Sequence, residues 1–223
     1  MTPIPSVKAT YYLDVISSWC WWTEPTWAEF QRRFEGRVQF DWEIALVQGD
    51  GFPASREQLE WLYRRSGIIT RSPYRLSAGW LEPGQYEYLV PNLVAEAARD
   101  LGITDDRARL AVAAAAVRDG SEVSRWDVSV SAVAAATGLD AEALRARAQL
   151  PEVEARIRAS TAEFHSLKIS QRPAFVIENG IGDRAILSGL AGLEPLVSVT
   201  EAMLADAAAY ASFAAQFGGP PEI

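Results

Sequence analysis

From Ala9 to Ile16 the chain reads Ala-Thr-Tyr-Tyr-Leu-Asp-Val-Ile, a run rich in aromatic and β-branched residues. Such a run predicts a buried strand. Ser17 and Ser18 follow, and either can cap a helix N-terminus. That helix is expected to run through a tryptophan-rich stretch to about Phe34 and to stop at Gly36, with a kink at Pro25. Val38 to Ile44 alternates apolar and polar residues and predicts a second strand. A β-α-β unit of this length joins parallel strands.

The pattern then becomes helical. Helices are expected at 58–65, 89–101, 105–118, 127–137, 141–149 and 152–167, with Gly102, Gly120 and Gly138 as C-terminal stops. Tyr74 to Gly84 carries prolines and glycines and reads as a loop. After Pro173, strands are expected at 174–177 and 184–187, joined at an Asn179-Gly180 turn. A last helix runs from about Leu193 to Phe213, and the tail at 218–221 is expected to fray. The order β-α-β, helical block, β-β-α predicts an α/β fold with a mixed four-stranded sheet and helices on both faces. Residues 1–50 and 168–223 would form one unit, and 51–167 an inserted all-helical domain.

Composition narrows the function. The 223 residues are 49% hydrophobic and 22% charged, ordinary for a globular chain. A net charge of -8 argues against nucleic acid or an anionic membrane as partner. No run approaches the roughly 20 apolar residues of a membrane span. Met1 to Thr10 has no basic stretch followed by an apolar core, so no secretory signal is read there and a cytoplasmic address is expected. The single cysteine, Cys20, rules out an intrachain disulfide. The single histidine, His165, is distant from it in sequence, and no metal site is expected.

Three stretches carry a resemblance. Asp14-Val15-Ile16-Ser17-Ser18-Trp19-Cys20-Trp21 is similar to the Cys-Pro-Trp-Cys-Tyr segment that follows an aspartate in the DsbA-like family. Ile169 to Ile177, with Arg172-Pro173 at its centre, resembles the loop that carries the family's cis-proline. Ala185 to Gly189 resembles the strand before the last helix. Together with the helical block, these features resemble the thioredoxin fold as built in DsbA-like oxidoreductases, over nearly the whole chain. Ser17 then takes the position of the attacking cysteine and Cys20 that of the resolving one.

That resemblance implies a site between the serine turn and the proline turn. Ser17 and Cys20 are its candidate catalytic residues, and Trp19, Trp21, Arg172 and Pro173 its candidate substrate-binding residues. A hydroxyl does not ionise near neutral pH, so dithiol-disulfide exchange by the usual route is disfavoured. Two chemistries stay open. In one, Ser17 donates to the thiolate of a bound thiol, as implied by the similarity to kappa-class glutathione transferases and 2-hydroxychromene-2-carboxylate isomerases, whose Ser-Pro-Tyr-Ser-Trp motif aligns with 17–21. Those enzymes carry a Ser-Asp pair before the last helix, whereas this chain has Leu187-Ser188-Gly189-Leu190-Ala191. In the other, Cys20 acts as a lone thiol, against the plain alternative of a buried cysteine packed as a small hydrophobe. No tightly bound cofactor is expected. The candidate ligand is glutathione, another low-molecular-weight thiol or a thiol substrate, with Arg172 as counter-charge for an acidic group. The tryptophans serve either as core or as a substrate-facing wall, and Tyr74 and Trp80 as a lid or as packing. A non-catalytic binding protein on this scaffold and a homodimer both remain open.

Overall fold

The structure, a computed structural model, describes residues 7–82 and 84–218. The terminal stretches 1–6 and 219–223, which include most of the tail expected to fray, lie outside the described residues. The chain order is β1 (Val7–Leu13), α1 (Ser18–Arg33), β2 (Gln39–Ile44), α2 (Arg56–Ile69), α3 (Leu89–Asp100), α4 (Arg107–Ala113), α5 (Trp126–Thr137), α6 (Ala141–Ala148), α7 (Pro151–Ser166), β3 (Ala174–Asn179), β4 (Arg184–Ser188) and α8 (Leu193–Phe217). Between α4 and α5 the chain continues as a π-helical turn, Ala114–Arg118.

The sheet order is β2-β1-β3-β4. β1 and β2 are parallel, while β1–β3 and β3–β4 are antiparallel. This mixed sheet is the one expected from the β-α-β and β-β-α halves. β1 is buried along its length except at Lys8 because helices cover both faces. Tyr11, Leu13, Phe175 and Ile177 face α1 and α8, whereas Tyr12, Ala174 and Val176 pack with Phe164 of α7. Tyr11 stacks on Phe175 with ring centroids 5.0 Å apart, and Trp27 of α1 closes on both. Fully burying a side chain of this size stabilises by about 1.5–3 kcal/mol, so this cluster is a major part of what holds α1 on the sheet. β4 is the exposed edge strand, with Arg184 paired to Glu178.

Several boundaries differ from those expected. β1 ends at Leu13, not Ile16, because Val15 and Ile16 leave the ladder yet stay buried. The helix expected at 105–118 is α4 plus the π turn. The hairpin connection is the four-residue stretch 180–183, and the Asn179 Oδ1 accepts from the Ile181 and Asp183 N–H groups. The positive φ falls at Gly182, not Gly180.

The helical block is locked to α1 by charge. Glu24 of α1 meets Arg109 of α4 at 2.6 Å, Asp106 meets Arg109 at 2.8 Å, and the Tyr11 hydroxyl donates to Glu24. Burial works against the Arg109 charge, but Glu24 and Asp106 outweigh it and its pKa is raised. Removing one member of a buried pair leaves a stranded charge. Glu24→Ala is therefore expected to destabilise by about 3 kcal/mol or more in urea unfolding. Replacing Glu24 and Arg109 together by methionine should restore much of that loss.

Glu43 on β2 is pushed up to about 7, first by burial and then by the like charge of Asp41. Below the unfolded carboxylate's pKa of about 4.3 both states hold the proton. Between about 4.3 and 7 only the unfolded state ionises, so stability is lost as pH rises through that window. Glu43→Gln removes this effect, and its gain over the unchanged protein in thermal midpoint should be larger at pH 8 than at pH 4.

Candidate functional site

The chain leaves β1 through a turn built on Asp14. Its buried carboxylate accepts from the Ile16 N–H (3.2 Å), the Val47 N–H (2.7 Å) and the Asn92 side-chain amide (2.9 Å). Asn92, on α3, also accepts from the Val15 N–H and donates to the Tyr88 carbonyl. Burial raises the Asp14 pKa, opposed by these three hydrogen bonds and by the Arg172 charge. The ends of β1 and β2 are thus tied to the helical block at one carboxylate.

That turn delivers Ser17 to the head of α1 as its N-cap. The Ser17 N–H donates to the Asp14 carbonyl, and Ser17 Oγ accepts from the Cys20 N–H at 3.4 Å. The cap uses an oxygen lone pair, so the hydroxyl remains a donor, and the buried Cys20 thiol is an acceptor within its reach. The N–H groups of Ser18 and Trp19 have no partner among the described residues, as expected in a helix's first turn. Together with the helix dipole they favour negative charge at this point.

Ser17 opens into a crevice of about 540 Å³ shared with Trp19, Arg65, Gln171, Arg172 and Gly189. An adjoining apolar pocket of about 250 Å³ runs from Ser17 and Trp19 to Leu59, Leu62 and Trp80. The serine turn and the arginine-proline turn, far apart in sequence, therefore line one cleft. The Arg172–Pro173 peptide is cis, and the Pro173 carbonyl accepts from the Gly189 N–H at 2.8 Å. Gly189 has φ +86°, and a Cβ there would sit 3.2 Å from Gln171 Oε1. A larger residue would strain the backbone at the cleft wall.

The candidate residues divide. Ser17, Trp19 and Arg172 line the cleft. Pro173 is buried behind it. Trp21 faces the helical block, its indole N–H donating to the Tyr74 hydroxyl at 3.0 Å. Cys20 is 2% exposed, and burial pushes its thiol up to about 12, although hydrogen bonds from the Ser17 hydroxyl and the Asp14 main chain pull the other way. The geometry therefore favours the packed, inert thiol over the lone nucleophile expected as an alternative.

Arg172 departs from its expected role as a free counter-charge. Its guanidinium donates to the Ala45 and Leu46 carbonyls and lies over the Phe164 ring at 4.6 Å. Arg65 of α2, which the sequence reading missed, is the cleft cation not tied to main-chain carbonyls among the described residues. It lies over Trp61 at 5.1 Å. Nothing in an Arg64-Arg65 pair on a predicted helix marks it for the site. Only the docking of α2 beside α1 brings it there. Trp80 is a pocket wall, fixed by its N–H donating to the Tyr63 hydroxyl at 2.8 Å. Its loop is pinned as well: the Ser77 N–H donates to Val117, and Gly79 touches Gly120 so closely that a Cβ would fall 2.5 Å from the Gly120 carbonyl oxygen.

Neither a protein-family model nor a curated protein matches the chain. Solved structures do. A candidate protein disulfide isomerase from Nitrosomonas europaea superposes with a TM-score of 0.76 at 20% identity, covering 90% of this chain and 98% of that one. The cytosolic disulfide reductase DsbM from Pseudomonas aeruginosa gives 0.66 at 16% identity, covering 92% and 99%. A thioredoxin-like oxidoreductase from Silicibacter pomeroyi gives 0.58 at 18% identity, covering 94% and 90%. The chain shares with them the DsbA-like thioredoxin fold, helical block included. No helix among the described residues is long and apolar enough to cross a membrane.

A thiol with a pKa near 12 is ionised in roughly one molecule in ten thousand at pH 8. Iodoacetamide should leave Cys20 unmodified in the native protein over hours and alkylate it within minutes in concentrated urea, as read by mass spectrometry. Rapid native labelling would return Cys20 to the list of nucleophiles.

Proposed function

We propose that this protein is a DsbA-like oxidoreductase or isomerase homologue that holds a small thiol, or a thiol-bearing substrate, with its sulfur at the head of α1. The observation that carries this reading is Ser17 itself. It caps α1 and opens into the cleft, where its hydroxyl can turn from the neutral Cys20 thiol to donate to a charged sulfur. The incoming thiol loses its proton to solvent, and its sulfur accepts from the Ser17 hydroxyl beside the free N–H groups of the first turn. Charge-assisted hydrogen bonds of this kind favour the thiolate. With Cys20 packed away, the protein supplies no second sulfur, so the bound thiolate is the nucleophile and conventional dithiol exchange is disfavoured. The apolar pocket beside Trp19 suits the electrophile.

The cleft suits a thiol that also carries a carboxylate. Arg65 lines it untied to any main-chain carbonyl, Arg172 stands in its wall bound to the Ala45 and Leu46 carbonyls, and no carboxylate lines it among the described residues. Glutathione meets that description, as do smaller acidic thiols, although the Ser-Asp pair of kappa-class enzymes is missing at 188–189. A reducing, cytoplasmic setting fits a protein that depends on a free external thiol. A binding protein without turnover would use the same cleft and is separated from an enzyme by assay alone.

Titration with glutathione and with mercaptoacetate, followed by near-ultraviolet thiolate absorbance, tests the reading. Binding should lower the ligand's thiol pKa. A hydrogen bond to a charged acceptor contributes about 1.5–3 kcal/mol, so Ser17→Ala should weaken binding by about tenfold or more and abolish the thiolate signal. Equal thiolate signal in the two proteins would end the proposal.

A further inference from the structure

Most of the 21 lysines and arginines sit in ion pairs, spread over the molecule. Arg56, Arg64, Arg65, Arg71 and Arg75 are different. None has a carboxylate partner within 4.0 Å among the described residues, and all lie on α2 or the loop after it. A chain with a net charge of -8 thus carries a concentrated block of positive charge, five arginines against Glu57 and Glu60 of α2. Arg56 is spent on the loop, donating to the Gly79 and Leu81 carbonyls. Arg65 faces the thiol cleft. Arg64, Arg71 and Arg75 face away from it, into two contiguous hollows of about 540 and 440 Å³ that share Tyr63, Arg64 and Arg75. Glu60 is the single carboxylate lining them.

We propose that the Arg64–Arg71–Arg75 trough is a docking site for an acidic polypeptide segment that also carries apolar side chains. Charge complementarity selects the acidic partner. The neighbouring surface selects a polypeptide over a small anion. Trp61 and Ile68, 55% and 72% exposed, stand at i and i+7 on α2, with Arg64 and Arg65 between them at i+3 and i+4. Phosphate or a small polycarboxylate uses none of that apolar surface. Arginine beside exposed tryptophan is the composition of protein-binding hot spots. Arg71 has φ +54°, where a helix end ordinarily places glycine or asparagine, and that backbone carries its guanidinium to the trough.

The trough is coupled to the cleft. Tyr74, one residue before Arg75, packs on Trp22 with centroids 5.4 Å apart and accepts from the Trp21 N–H, and both tryptophans follow Ser17 on α1. The Trp22 N–H donates to Ser66 of α2 at 3.0 Å. A segment lying in the trough is therefore anchored to the helix that presents Ser17. The inference goes beyond the thiol reading and does not rest on it.

The test uses the full chain and a short fluorescein-labelled peptide of alternating glutamate and leucine, read by fluorescence anisotropy. Binding is expected at low salt and should weaken as salt rises through the range where the Debye length shrinks to about 10 Å. The triple variant Arg64→Gln, Arg71→Gln, Arg75→Gln should bind at least about tenfold more weakly, with an unchanged circular dichroism spectrum. Arg145→Gln, at an arginine outside the trough that also has no carboxylate partner among the described residues, should bind as the unchanged protein does. Should the triple variant fail to fold, a matched peptide with lysine for glutamate and competition by tripolyphosphate decide the matter on the unchanged protein, where neither should compete. Undiminished binding by a folded triple variant, equal binding of the lysine peptide, displacement by tripolyphosphate at equal concentration, or an equal loss of binding in Arg145→Gln would each overturn the assignment.

Discussion

The site depends on one buried carboxylate. Asp14 stands where β1 ends, and burial there is costly for an ionisable group unless every oxygen is satisfied. Its three acceptor bonds reach its own turn, the residue after β2 and α3 of the helical block. Each bond fixes something the cleft needs. The Ile16 bond shapes the turn that delivers Ser17. The Val47 bond sets the wall opposite. The Asn92 bond clamps the helical block over the end of the sheet. An apolar residue at position 14 would pack equally well but would leave three donors without a partner, and the turn would have no reason to keep its shape.

A second lock lies deeper. Glu24, Arg109 and Asp106 join α1 to α4, and Tyr11 joins them to β1. α7 belongs to both halves as well: Phe164 packs on the sheet, and the Ser160 hydroxyl donates to the Ile44 carbonyl. The helical block is thus bound to the sheet by polar contacts as much as by apolar area. Polar contacts have direction, and direction is what holds a cleft wall in place. The loop at 72–82 follows the same rule, with Gly79 against Gly120 and Trp80 against Tyr63. It is packed in place as a wall of the cleft.

The fold was legible from local pattern because both strand pairs and every major helix carry their own periodicity. The strand limits were less so. Val15 and Ile16 are as apolar as the strand before them, and nothing local says that they are buried against α3 and not in the ladder. The α4 region read as one helix because an alanine-rich stretch has no side chain that distinguishes α from π geometry. At the site, Ser17 was legible because a serine before a helical run is a cap by chemistry. Cys20 was ambiguous because its reactivity is a matter of burial. Arg172 was misread as a ligand-facing charge because its partners are main-chain carbonyls more than a hundred residues away, and carbonyls leave no mark in a sequence. Arg65 escaped notice for the same reason in reverse, since its importance lies in having no partner.

Serine at position 17 bears directly on what the head of α1 can do. The N-terminal field of α1 acts on whatever atom sits above it. In a cysteine protein that atom belongs to the chain, and the field sharpens the chain's own nucleophile. A serine hydroxyl stays neutral near neutral pH, so any negative charge that this field favours must come from another group. The surroundings of the cap are a cleft large enough for a small ligand, Arg65 at its rim and the single cysteine withdrawn into the core at 2% exposure. A chain that borrows its sulfur would need room for the molecule that carries it, and the crevice beside Ser17 has that room.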